Sequence, residues 1–122
     1  MNTDPTLDAG QATVRRRYLD GRFGQLHLRV AGPPTTGARR PLLCFHLSPV
    51  SGAIYQRFLG EMGRDRLAVA PDTPGYGASD APRDPPEIAD YAAAMGEMMD
   101  GLGIAEADCV GFHTGSKIAL EL

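Results

Sequence analysis

Two kinds of hydrophobic pattern divide this chain. Between residues 14 and 30 apolar and polar positions alternate, with Leu26, Leu28 and Val30 on one side, the period of strands with one face buried. Asp20-Gly21 interrupts the alternation with a turn signal, so residues 14–20 and 25–30 are expected to form an antiparallel hairpin. Residues 31–40, rich in Gly, Pro and Thr, read as a loop. After it the alternation disappears. Pro41-Leu42-Leu43-Cys44-Phe45-His46 and Leu67-Ala68-Val69-Ala70 are short continuous apolar runs, as expected of strands buried on both faces. Between them Ile54, Phe58 and Met62 recur every four residues, with Tyr55 and Leu59 on the same stripe. That spacing predicts an amphipathic helix, with Ser51 as its N-cap. A second helix carries Ile88, Tyr91, Ala92, Met95, Met99 and Leu102 on one face, and Gly101 and Gly103 help to end it. The run Asp108-Cys109-Val110 then predicts a further strand, and Ser116-Lys117-Ile118-Ala119-Leu120 a short last helix.

Hairpin, strand, helix, strand, helix, strand, helix is the order of an α/β protein: a mostly parallel sheet with an N-terminal antiparallel hairpin and flanking helices. In such sheets sites form at the carboxyl ends of the strands. His46, Asp72 and His113 all stand at or just past such ends.

Composition narrows the function classes. The 122 residues suit one domain, and the net charge of −3 gives no electrostatic reason for nucleic acid or anionic membranes as partners. Arg15-Arg16-Arg17 and Arg39-Arg40 are short basic runs of the kind usually found on solvated surface. Residues 1–12 are polar and read as a flexible tail, leaving 13–122 as the domain. They lack the features of a secretory signal, and no apolar run approaches the ~20 residues that span a bilayer. The expected location is cytoplasmic. Cys44 and Cys109 each fall in a predicted buried strand, where reduced thiols pack as small hydrophobes.

Three motifs at the strand ends then stand in order: His46-Leu47-Ser48-Pro49, Asp72-Thr73-Pro74-Gly75-Tyr76-Gly77-Ala78-Ser79-Asp80, and Gly111-Phe112-His113-Thr114-Gly115. From Pro41 onward they resemble the α/β-hydrolase superfamily, in its branch of epoxide hydrolases, haloalkane dehalogenases and small esterases or lactonases. The last motif is similar to the nucleophile elbow G-x-S-x-G, with histidine where that motif has serine. The resemblance implies the sheet order one, two, four, three, five. It implies an oxyanion hole from the backbone N–H groups of Ser48 and Thr114, although Leu47 stands where the family usually has glycine. His46 would hold the oxyanion loop, and Leu47 and Asp72 would join it in lining the cleft. The family's later acid, later histidine and cap lie outside this sequence, so the resemblance implies a truncated hydrolase domain. In such a domain the strand at 108–112 is an apolar edge, which predicts a homo-oligomer through it.

His113 admits three readings: nucleophile, general acid or base, or a residue kept by an inherited corner. Thr114 and Ser116 read as caps of the last helix, and Ser79 as a turn residue bonding its own backbone. His46 and His113 would face one another across neighbouring strands. A metal would require Asp72 as a third ligand without any recognised ligand spacing, so none is expected. Gly111 to Lys117 has neither the gap nor the Lys-Ser/Thr order of a phosphate loop, and no cofactor is expected. The functional expectation is hydrolysis of a small ester, lactone or similar carbonyl substrate, with this chain inactive by itself. The alternatives are a non-catalytic remnant or small-molecule binding module, and a lyase or isomerase using His113 as acid or base.

Overall fold

In a computed structural model the chain is described over residues 10–33 and 39–122. Strands β1 (Val14–Gly21) and β2 (Gly24–Ala31) form the hairpin, followed by β3 (Leu42–Phe45). A 3-10 turn (Gly52–Tyr55) leads into α1 (Gln56–Met62), then β4 (Ala68–Pro71), α2 (Ile88–Leu102), β5 (Asp108–Gly111) and α3 (Thr114–Glu121). The sheet order is β1-β2-β4-β3-β5. β2 runs antiparallel to β1 and β4, while β3 lies parallel to both β4 and β5. The topology is the one implied by the motifs.

The unbroken apolar runs make sense in this sheet, because every residue of β3 and β4 is buried. Leu43, Phe45 and Val69 face one core with Met95 and Met98 of α2 and Ile118 of α3. Leu42, Cys44, Ala68 and Ala70 face the other, against Tyr55 and Leu59. The second face is built from small side chains, so α1 comes close. A Cβ on Gly63 would lie 2.8 Å from that of Ala31. Burial pushes the Cys44 thiol up to about 12, which keeps it protonated and consistent with a purely packing role. Gly103 ends α2 in the left-handed conformation (φ 71°), and Ile104 N–H closes the turn on Met99 O at 2.8 Å.

Several local expectations are corrected. The hairpin turn falls at Arg22-Phe23, because Gly21 pairs with Gly24. Cys109 is exposed, since β5 stands at the sheet edge and pairs only with β3 among the described residues. Of the expected tail, 1–9 lies outside the described residues, as does 34–38 of the loop. Ala12 donates to Gly60 O at 2.9 Å and Gln11 to Glu61 at 2.7 Å, so both are tied to α1. The phase of the first helix also differs. Ser51 does cap it, accepting from Ala53 N–H at 3.2 Å, but Ile54 (46% exposed) and Phe58 (38%) face outward while Tyr55 and Leu59 are buried. The four-residue spacing itself is kept, Ile54 with Phe58 and Tyr55 with Leu59, but only the second pair faces the sheet.

This phase is testable by urea unfolding. Leu59→Ala is expected to cost about 2–5 kcal/mol as a core truncation, and Ile54→Ala only about 0.5 kcal/mol as a surface change.

Candidate active site at the β5–α3 corner

β5 turns into α3 through one strained residue. His113 has φ 51° and ψ −115°, and it is the only non-glycine residue with positive φ among those described. Such a conformation costs about 1–3 kcal/mol and persists only where its surroundings enforce it. The two flanking glycines show what enforces it. A Cβ on Gly111 would run into the backbone of Gly115, and one on Gly115 would run into the Phe45 carbonyl of β3. Helix α3 therefore starts hard against the end of the sheet, and the chain reaches it only by a sharp corner. Gly115 N–H donates to Phe112 O at 2.9 Å and Ser116 N–H to His113 O at 3.0 Å, closing the first turn. His113 is left exposed over the sheet's carboxyl edge.

The hydroxyls beside it do not act as caps. Thr114 is the first residue of α3, and the Ser116 hydroxyl donates back to His113 O at 2.7 Å. Neither the Thr114 N–H nor the Ser48 N–H donates to another group of the described residues. Both are thus free to meet an acceptor from outside the chain.

His46 and Asp72, just past the carboxyl ends of β3 and β4, are occupied. His46 is 1% exposed. Its Nδ1–H donates to Leu47 O at 2.7 Å, and its Nε2 accepts from Thr73 N–H at 2.9 Å. Only the neutral ring satisfies both bonds. Burial drives its pKa below the usual histidine value, against the opposing pull of Leu47 O and Asp72. With both nitrogens used, His46 has none to offer His113.

Asp72, also 1% exposed, is a hub. Oδ1 accepts from Gly52 N–H at 2.8 Å, and Oδ2 accepts from Ala78 N–H and from His27 Nδ1, each at 2.9 Å. The Arg29 guanidinium stands 3.6 Å from Oδ1. Burial alone would raise its pKa, but the Ala78 and Gly52 donors and the His27 ring outweigh burial and hold the carboxyl below its ordinary value. Gly52 and Gly77 border this carboxylate so closely that a Cβ on either would meet it. Ser79 completes the network, its hydroxyl donating to Asp72 O at 2.7 Å and accepting from His27 N–H at 2.9 Å. Among the described residues no cluster of three His, Cys, Asp or Glu stands ready for a metal.

His27 is the participant that the pattern of the sequence conceals. It sits in the hairpin, on the face opposite Leu26 and Leu28, 45 residues from Asp72. The available signal was a titratable residue at a position of β2 that is buried (3% exposed).

No family model matches the sequence. The chain is 30% identical to haloalkane dehalogenase 2 of Mycobacterium tuberculosis over 122 residues, 98% of this chain and 41% of the relative. Among solved structures, the N-acyl homoserine lactonase AidH in complex with N-butanoyl homoserine superposes with a TM-score of 0.77 at 36% identity, over 88% of this chain and 39% of that one. Together these likenesses support an α/β-hydrolase superfamily fragment. Epoxide hydrolase CorEH supports the fold alone, with a TM-score of 0.79 at 19% identity over 89% of this chain and 37% of that one. The α/β-hydrolase chain described here thus spans about two-fifths of the length of the curated relatives it matches. Within it, the strained corner after β5 and the loop after β3 bring one histidine and two unclaimed N–H donors to the same edge of the sheet.

The two buried groups predict a two-step acid response. Each is held below its unfolded pKa, so each stabilises the fold above that value and loses its contribution on acidification. For His46 the loss begins as pH falls below about 6.5, and for Asp72 below about 3.9. Urea midpoints measured across this range should fall in both windows. Asp72→Asn is expected to cost about 3 kcal/mol and to remove the lower step while leaving the upper one.

Proposed function

We propose that this chain carries the elbow half of a hydrolase site for a small lactone or ester, in which His113 is a general acid–base. The observation that carries the reading is the strained, exposed His113 beside the free N–H groups of Thr114 and Ser48. Imidazole is the side chain most often used to pass protons in catalysis at neutral pH. In this scheme the neutral His113 ring takes a proton from water as the water oxygen adds to the carbonyl carbon. The negative charge moves to the carbonyl oxygen, where two backbone N–H donors stabilise it. The tetrahedral centre then collapses, the acyl C–O bond breaks, and the leaving oxygen recovers the proton from His113. The lactonase AidH, at 36% identity, supports a lactone as the substrate class. A haloalkane has no carbonyl oxygen, and there the same donors would serve a departing halide instead.

His46 and Asp72 have structural parts in this scheme, holding the loops that bear Ser48. Turnover belongs to a protein carrying the rest of the hydrolase domain, since this chain spans only 41% of its curated relative. By itself the 122-residue chain is expected to be inactive.

The test is hydrolysis of N-hexanoyl homoserine lactone and of an aryl ester by the chain alone and by a form joined to the remaining strands of a hydrolase domain. His113→Ala should lower kcat by about 100-fold or more with an unchanged circular dichroism spectrum. Unchanged rates would remove His113 from the mechanism. Release of halide from a haloalkane without lactone turnover would replace the substrate class.

A further inference from the structure

We propose that His27 is a positioning residue for this site. By donating from Nδ1 to Asp72, it holds the carboxylate where its two oxygens tie together the loops after β3 and β4, and so places the Ser48 N–H. The inference rests on the proposed function for what Ser48 does, and on geometry alone for what His27 does.

The path can be followed atom by atom. Asp72 is ionised in this setting, so the hydrogen of the 2.9 Å contact belongs to His27 Nδ1. That bond fixes Oδ2, which also accepts from Ala78 N–H, and leaves Oδ1 to accept from Gly52 N–H at 2.8 Å. Gly52 opens the 3-10 turn four residues after Ser48. The backbone beside Asp72 acts on the other end of the same loop, where Thr73 N–H holds His46 Nε2 and His46 Nδ1–H holds Leu47 O at 2.7 Å. Residues 47 to 52 are therefore pinned at both ends by groups that depend on where Asp72 sits. His27 is itself locked: its N–H donates to Ser79 Oγ, its carbonyl accepts from Asp72 N–H at 2.8 Å, and its ring lies 5.1 Å from that of Tyr18. A carboxylate held only by N–H donors from two loops has several arrangements open to it. A third donor on β2, a strand paired on both sides, selects one, because a buried charge is costly wherever its hydrogen bonds are incomplete.

His27→Phe keeps a ring against Tyr18 and deletes the donor, whereas His27→Asn keeps an N–H near the position of Nδ1. Amide hydrogen exchange on the 122-residue chain reads the loops directly. In His27→Phe the Gly52 and Ala78 amides should exchange about tenfold faster, with Phe45 and Val69 in the strands unchanged, and His27→Asn should restore protection to within about threefold. Unchanged exchange at Gly52 and Ala78 in His27→Phe overturns the proposal. So does a uniform rise across β3 and β4, which would make His27 a packing residue only, and so does failure of Asn to restore protection. In a form that hydrolyses N-hexanoyl homoserine lactone, His27→Phe should lower kcat about tenfold with KM little changed, and Asn should recover it. If no form turns the lactone over, the exchange result still decides the part played by His27, and only the proposed function falls.

Discussion

The buried carboxylate of Asp72 is the interaction on which the carboxyl edge of this sheet depends. A charge in the interior is tolerated only when its oxygens are fully bonded, and here the donors come from three separate parts of the chain. Gly52 belongs to the loop after β3, Ala78 to the loop after β4, and His27 to the hairpin. Satisfying one side chain therefore fixes the relative position of three segments that share no secondary-structure pairing at those residues. Gly77 owes its identity to the same constraint, since a Cβ there would collide with the carboxylate, while one on Gly52 would first meet the Ala70 carbonyl of β4.

The corner at His113 follows a related logic. Gly111 and Gly115 let the start of α3 press against β5 and the end of β3, and the close approach forces the residue between them into a backbone conformation that side chains rarely adopt. The strain is held in place by packing, so it does not require a particular residue at the corner. That independence explains how the same turn can present a histidine where related motifs present a serine. What changes is the chemistry on offer: a ring that moves protons near neutral pH in place of a hydroxyl that needs a separate base.

Much of this was readable from residues. The unbroken apolar runs at β3 and β4 identified strands covered on both faces, and the spacing of three motifs at strand ends located the site edge. Legibility failed where local period and packing disagree. Ile54 and Phe58 matched a helical stripe, yet the neighbouring pair Tyr55 and Leu59 is the one that faces the sheet. Cys109 read as buried because its neighbours are apolar, but β5 stands at the edge. His46 looked like a partner for His113, and its two nitrogens are spent on Leu47 and Thr73 instead.

The sequence by itself determined the order of the elements, the parallel run of β3, β4 and β5, and the glycines that make the corner, because each follows from local spacing and steric need. Only the tertiary structure decided which polar groups are occupied and which are free. Hydrogen bonds such as His27 to Asp72 join residues 45 positions apart, and no period along a chain records which side chains will meet once strands are laid side by side. The same holds for Ser48 and Thr114, whose N–H groups meet no acceptor among the described residues.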